Sequence, residues 1–206
     1  MARIGLSKPY FAKYNYDGQQ VTYSGGALMG KAVQMDIELE GADDNVLYCD
    51  NGPGESENTF AGGTCKLTTD ELMPSVLLEI LGVVEEAIEN ASIKTEDAKW
   101  YIWNDDQDTP YLGVGAIVMI QKDNKRKYQA VVLTKLQFTN PNDSFKTKGE
   151  TVEWGTPEIT GNLLRDDTEK HEWKRISSPM DTEADAEEAI KALFGITTTA
   201  ATTTTE

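Results

Sequence analysis

The sequence predicts a mainly β protein: an antiparallel β-sandwich or partial barrel with one or two flanking α-helices. Three observations predict it. Residues 31–40 alternate strictly, with Val33, Met35, Ile37 and Leu39 set against Ala32, Gln34, Asp36, Glu38 and Glu40. A period of two over this length means a half-buried strand. Residues 111–121 are rich in β-branched side chains and lead through an Asp123-Asn124 turn into a second alternating stretch, residues 127–138. Two segments, residues 72–81 and 181–194, carry the apolar spacing of a helix.

Taken in order, residues 4–24 read as a short hairpin, with strands around Tyr10–Tyr14 and Gln20–Tyr23 joined through Asp17-Gly18, a dipeptide that suits a tight turn. In the strand over residues 31–40 one face is apolar and the other carries Asp36, Glu38 and Glu40. Nothing nearby in sequence neutralises these acids, so their surface is expected to be wet. Residues 41–63 read as a long acidic loop holding a short apolar piece, Val46-Leu47-Tyr48, and residues 59–67 as a returning strand. Long loops in compact domains are usually functional or unstructured.

The first helix places Val76, Leu77, Ile80 and Leu81 on one stripe and stops at Gly82. Thr68 and Glu71 have capping-box spacing, but Pro74 favours a later start. Residues 83–93 either extend this helix or open the next strand. In residues 127–138, Tyr128, Ala130, Val132, Leu136 and Phe138 are expected to share one face. Residues 151–164 follow as one or two strands broken near Gly155-Thr156-Pro157, with Val152 and Trp154 on one face, and residues 171–176 as a last short strand. The second helix aligns Ala186, Ala189, Ile190, Leu193 and Phe194 and ends at Gly195. The organisation is thus a β-rich domain over residues 1–180, a C-terminal helix over 181–195 and a disordered Thr-rich tail over 196–206.

Composition limits the function. With 206 residues, 39% hydrophobic and 26% charged, the chain reads as an ordinary soluble domain. No apolar run approaches the roughly 20 residues that span a bilayer, and the N-terminus lacks the apolar core of a secretory signal. Cys49 and Cys65 are too few for a disulfide scaffold and are expected to be reduced. A net charge of −16 argues against tight duplex DNA binding, yet suits a surface that DNA must slide past. The charge is blocked. Residues 31–60 hold eight acids and one base, 122–148 seven bases and two acids, and 150–188 twelve acids and four bases. Such blocks can pair within a fold or across subunits.

Catalytic chemistry finds little support. Residues 25–32, GGALMGKA, nearly match a phosphate-binding loop, but Ala32 replaces the magnesium-binding hydroxyl and a strand follows where a helix N-terminus is required. His171 is the one histidine, which leaves no companion for a familiar zinc site or nucleophile triad. No cofactor is expected. The best ligand-site argument is the run Trp100, Tyr101, Trp103, Asp105, Asp106, Asp108 and Tyr111, whose acids beside aromatics suit a carbohydrate site or, less well, an acidic hydrolase dyad.

The stretch over residues 133–161 carries a resemblance. Lys135 and Phe138, a loop containing Pro141, then Thr147, Lys148, Gly149, Glu150, Thr151, Glu153 and Trp154, then Thr156, Pro157, Ile159 and Gly161 resemble a recurrent pattern in the major tail proteins of long-tailed, non-contractile phages. The opening IGLSKPYFAKYN with its Asp-Gly turn is similar too, as are Leu47-Tyr48 beside an acidic turn and the T-x-D-E-L run entering a helix. The match covers roughly residues 3–176. The resemblance implies a structural virion protein, not an enzyme: a β-sandwich with a flanking helix, assembling as hexameric rings that stack into a tail tube in the host cytoplasm. Its implied partners are further copies of itself, a tape-measure protein, tail-terminator and distal tail proteins, and double-stranded DNA as a passenger only. On this expectation Asp36, Glu38 and Glu40 line the lumen. Asp43, Asp44, Asp50, Glu55 and Glu57 in the acidic loop, with Lys146 and Lys148 in the basic one, make contacts between rings or subunits. The alternative expectation is a monomeric β-sandwich module that binds carbohydrate through the 100–111 aromatics.

Overall fold

Among the described residues, fourteen elements follow one another in the computed structural model: β1 (Ala2–Tyr16), β2 (Val21–Leu28), β3 (Ala32–Gly41), β4 (Asn45–Cys49), β5 (Gly52–Glu57), β6 (Phe60–Thr69), α1 (Pro74–Leu81), β7 (Val84–Ala87), β8 (Lys99–Ile102), β9 (Leu112–Lys122), β10 (Lys125–Phe138), β11 (Glu158–Leu164), β12 (Lys174–Ile176) and α2 (Glu183–Phe194). The structure describes residues 2–41, 45–49, 52–57, 60–89, 92, 95, 97–122, 124–142, 147 and 155–197. Seven strands run in the order β2-β1-β9-β10-β11-β6-β3, and β12 adds to β10. Every pairing is antiparallel. β4–β5 and β7–β8 are separate two-stranded sheets. The mainly β class with flanking helices therefore holds.

Local sequence explains the joints. Asp17 accepts the backbone N–H groups of Gln19 and Gln20, both at 2.8 Å, and Gly18 takes a positive φ of 94°. Both strands of this hairpin run further than the sequence suggests. α1 begins at Pro74, where a proline's missing N–H costs nothing. The Thr68–Glu71 capping box is not used, because Met73 is the N-cap and makes no side-chain cap. At α2, Thr182 Oγ1 accepts from the Asp185 N–H at 3.1 Å, and Gly195 closes the helix in the left-handed region. The open question at residue 83 resolves to a strand, β7.

The central strands β1, β9 and β10 are covered on both faces. On one, Tyr10, Ala12, Ile117, Ala130 and Val132 meet Ala186, Ile190 and Phe194 of α2. Gly113 and Gly115 make this approach possible: a Cβ on Gly113 would lie 2.5 Å from the Tyr23 ring and 2.9 Å from that of Phe194, and one on Gly115 3.0 Å from Ile190. The C-terminal helix thus belongs to the core of the β domain. On the other face, Phe11, Val114, Leu133, Leu136 and Phe138 pack with Cys65, Leu67, Ile159 and Leu163 under Val76, Ile80 and Leu81 of α1.

Two expectations need correction. Tyr128, Ala130, Val132, Leu136 and Phe138 do not share a face. The β9–β10 register shifts between Leu133 and Leu136, so Ala130 and Val132 face α2 while Leu136 and Phe138 enter the α1 core. An extra residue in one strand reverses the alternation beyond it. Residues 41–63 are also more than a loop, for they include the β4–β5 hairpin and the start of β6.

Candidate assembly surface

The α1 core does not extend along the whole sheet. Beyond it, Leu6, Val118, Ile120 and Val131 form a small cluster of their own, and the sheet curls so that β3 stands opposite them. Between lies an open groove of about 590 Å3, bordered by Val33, Met35, Ile37 and Leu39 of β3 with Gln34 and Asp36 also reaching it, Val118 and Val131 of the central strands, and Arg3 and Lys174. Met35 and Ile37 are partly buried against the α1 core. Val33 and Leu39, expected inside, remain 54% and 53% exposed. The alternation of β3 is as the sequence reads, but its apolar face meets only half a partner.

β3 is also the last strand of the sheet, and β2 is the last at the opposite end. Among the described residues neither has a strand on its outer side, so both present unpaired backbone groups, which template pairing with another chain. Arg3 and Lys174 have no carboxylate partner among the described residues. Burial first, and the charge of Arg3 second, push the Lys174 amine below its usual range, and its Nζ sits 5.6 Å from the Trp173 ring.

The opposite surface of β3 carries Asp36, Glu38 and Glu40, all exposed. It is less bare of cations than its sequence neighbourhood implies. Lys66, from the adjacent β6, donates to Glu38 Oε1 at 3.1 Å, and Gln34 Nε2 to Asp36 Oδ2 at 2.7 Å. Glu158 of β11 stands exposed beside Thr68 of β6. One lysine thus faces several acids on the β11-β6-β3 surface, which stays net negative.

A polar cluster fixes α2 to β1. Tyr10 donates to Glu187 Oε1 at 2.7 Å, Lys191 Nζ lies 2.7 Å from the same oxygen, and Lys8 pairs with Oε2. Ser7 donates to Glu183 Oε1 at 2.6 Å. Burial alone would raise the Glu187 carboxyl, but the hydrogen bonds from Lys191, Lys8 and Tyr10 outweigh it and hold the group down at about 2. The Tyr10 phenol is pushed up to about 12 by burial and by its bond to Glu187. Lys8 itself has a positive φ of 48° inside the register shift between Ser7 and Tyr10, which turns its side chain to α2.

The remaining expected residues are scattered. Glu55 and Glu57 fall on β5, while Asp43, Asp44, Asp50, Lys146 and Lys148 lie outside the described residues, as do Val152, Trp154 and the tail from residue 198. The aromatic run divides: Trp100 and Trp103 are 61% and 44% exposed, Tyr101 packs against the α1 core, and Tyr111 lies under Lys135 Nζ at 4.6 Å. Asp105, Asp106 and Asp108 are exposed on a loop whose Gln107 and Thr109 cap the Leu81 carbonyl at 2.6 and 3.3 Å. The glycine-rich stretch 25–32 runs from β2 into β3, and Asp70 receives the Lys31 N–H at 2.7 Å. His171 is exposed and takes a left-handed backbone. Among the described residues no group of three or more His, Cys, Asp or Glu is placed to hold a metal ion, and no helix is long and apolar enough to cross a membrane. Sequence reasoning missed Arg3 and Lys174, which lie at opposite ends of the chain; no local motif links them.

No model of a known protein family matches this sequence, and no curated protein matches it.

Proposed function

We propose that this chain is a structural subunit that polymerises through its own sheet edges, forming rings that stack into a tube of the phage-tail type. The observation that carries the reading is β3, a terminal strand whose apolar face is half uncovered in the single chain. A free edge beside exposed Val33 and Leu39 is a liability in a monomer and an interface in an oligomer. Because β2 and β3 are different strands at opposite ends of one sheet, an edge-to-edge contact between copies is heterologous, and heterologous contacts either close into rings or run on as filaments. The net-negative β11-β6-β3 surface supports a lumen role for Asp36, Glu38 and Glu40, since such a wall repels phosphate and keeps DNA mobile. The resemblance over residues 133–161 adds the hexameric ring, the tape measure and the virion as context. Electron microscopy of concentrated protein, with sedimentation velocity, tests this. Rings or tubes are expected, and a monomer at every concentration overturns it.

A second reading, a monomeric carbohydrate-binding module, is favoured by the exposed Trp100 and Trp103. It predicts quenching of tryptophan fluorescence by an oligosaccharide, lost in Trp100→Ala.

A further inference from the structure

We infer that the groove between β3 and the central strands binds a single-chain amphiphile whose anionic head, a carboxylate or a phosphate, bridges Arg3 and Lys174. This goes beyond the self-assembly reading, because the site lies within one chain and leaves the β3 edge free to pair. The lining is mixed. Val33, Met35 and Leu39 form one wall and Val118 and Val131 the floor, while Gln34, Asp36, Arg3 and Lys174 add polar groups. Arg3 stands on β1 and Lys174 on β12, with β9 and β10 between them. At roughly 4.8 Å per strand their backbones are about 14 Å apart. Both nevertheless border one groove, and Arg3 is the charge that Lys174 feels, so the two long side chains lean towards each other over Val118 and Val131. Asp36, on the β3 side, is taken by the Gln34 amide at 2.7 Å. Two converging cations without a described carboxylate partner repel each other until an anion joins them. Arginine beside lysine suits the paired oxygens of a carboxylate or phosphate.

The rest of the ligand follows from the walls. A volume of about 590 Å3 falls within the range of small-molecule sites, roughly 300–1,000 Å3. From Val33 to Leu39 the β3 wall spans six residue steps, about 20 Å at roughly 3.3 Å each, a length that suits an unbranched apolar chain better than a compact ring. Such a chain would cover Val33 and Leu39, which are otherwise half exposed. The negative charge of Asp36 on that wall sets the orientation: the head group goes to Arg3 and Lys174, and the apolar chain runs along β3.

The test titrates the dilute full chain with anilinonaphthalene sulfonate, itself an apolar anion, and follows its fluorescence. Saturable binding at one site per chain is expected. Dodecanoate and dodecyl phosphate, below their micelle concentrations, should displace the probe, and dodecyltrimethylammonium should not. Whichever of the two anions acts at the lower concentration identifies the head group. Decanoate should bind roughly tenfold more weakly than dodecanoate, for the loss of two buried methylenes. The double variant R3Q/K174Q should weaken the anions about tenfold or more while leaving the circular dichroism and the urea midpoint unchanged. Absence of saturable binding, displacement by the cationic amphiphile as readily as by the anions, or affinities indifferent to R3Q/K174Q would each overturn the assignment. Sedimentation of the ligand-free chain scores the assembly reading separately, so either can fail without the other.

Discussion

Glu187 joins α2 to β1, and its replacement by glutamine tests how that junction is built. Glutamine keeps the shape and still accepts from Tyr10, but it loses the charge facing Lys8 and Lys191. The folded carboxyl sits at about 2 against an ordinary 4.5. Each unit is worth about 1.4 kcal/mol, so the depression sets a ceiling of roughly 3 kcal/mol. The side chain is 15% exposed, and solvent screening brings the expected loss to about 2 kcal/mol at pH 7. The sign follows from linkage. A carboxyl whose folded pKa is depressed contributes fully above its unfolded pKa, and that contribution is lost as pH falls through the folded value. The gap between the parent and E187Q should therefore be full at pH 7, shrink between about pH 4.5 and pH 2, and be nearly closed at pH 2. Urea unfolding followed by circular dichroism reads it. With a slope near 2 kcal/mol/M, the midpoint should fall by about 1 M at pH 7. A loss below about 0.5 kcal/mol, or one that does not vary with pH, refutes the account of Glu187 as a charged clasp.

Other outcomes follow from the same geometry. Phe194→Ala, which empties the site beneath Tyr23 and above Gly113, should cost about 3–5 kcal/mol in urea unfolding. Gly161→Val should cost more than Gly155→Val, because a Cβ at 161 collides with Leu136 while 155 faces open space; equal urea midpoints would discount the close packing of β11. Cys65 is fully buried, and burial, with the Asp36 charge, pushes its thiol up to about 12. A thiol reagent at pH 8 should thus label it only as fast as the protein unfolds, and rapid labelling of the native fold would contradict this. On the proposed tube reading, replacing Asp36, Glu38 and Glu40 with lysine should make assemblies retain duplex DNA at low salt and release it at high salt; DNA mobility unchanged from the parent would refute the proposed lumen role. Charge reversal at Lys146 and Lys148 should impair stacking of rings more than their closure, measured by tube length in micrographs.

Legibility in the sequence tracked the range of the forces involved. The β3 alternation, the Pro74 start and Gly82 stop of α1, and the Gly195 stop of α2 are encoded within a few residues, and pattern alone found them or bracketed them. The β10 face was misread because nothing local marks the register shift after Leu133; it arises where one strand must serve two cores. β5, GPGESE, was hidden by a composition poor in strand formers, and its pairing with β4 supplies what propensity lacks. The groove escaped for a similar reason. Arg3, β3 and Lys174 meet only after the sheet has curled, whereas the acids of β3 announce themselves every second residue. The exposure of Val33 and Leu39 was beyond reach because alternation says which face is apolar, not what covers it.

β10 pairs with β9 along most of its length, while its other edge takes β12 at Val131–Leu133 and then β11 at Lys135–Phe138. This handover makes the strand a common beam for both layers. Under shear the three residue pairs to β12 are the weakest seam, and they can peel without disturbing the β9 side. Separating the α2 layer from the α1 layer instead means breaking into β1, β9 and β10 together, since each sends side chains into both cores. Slow amide exchange should therefore concentrate at Val131–Leu136, where β10 is paired along both of its edges.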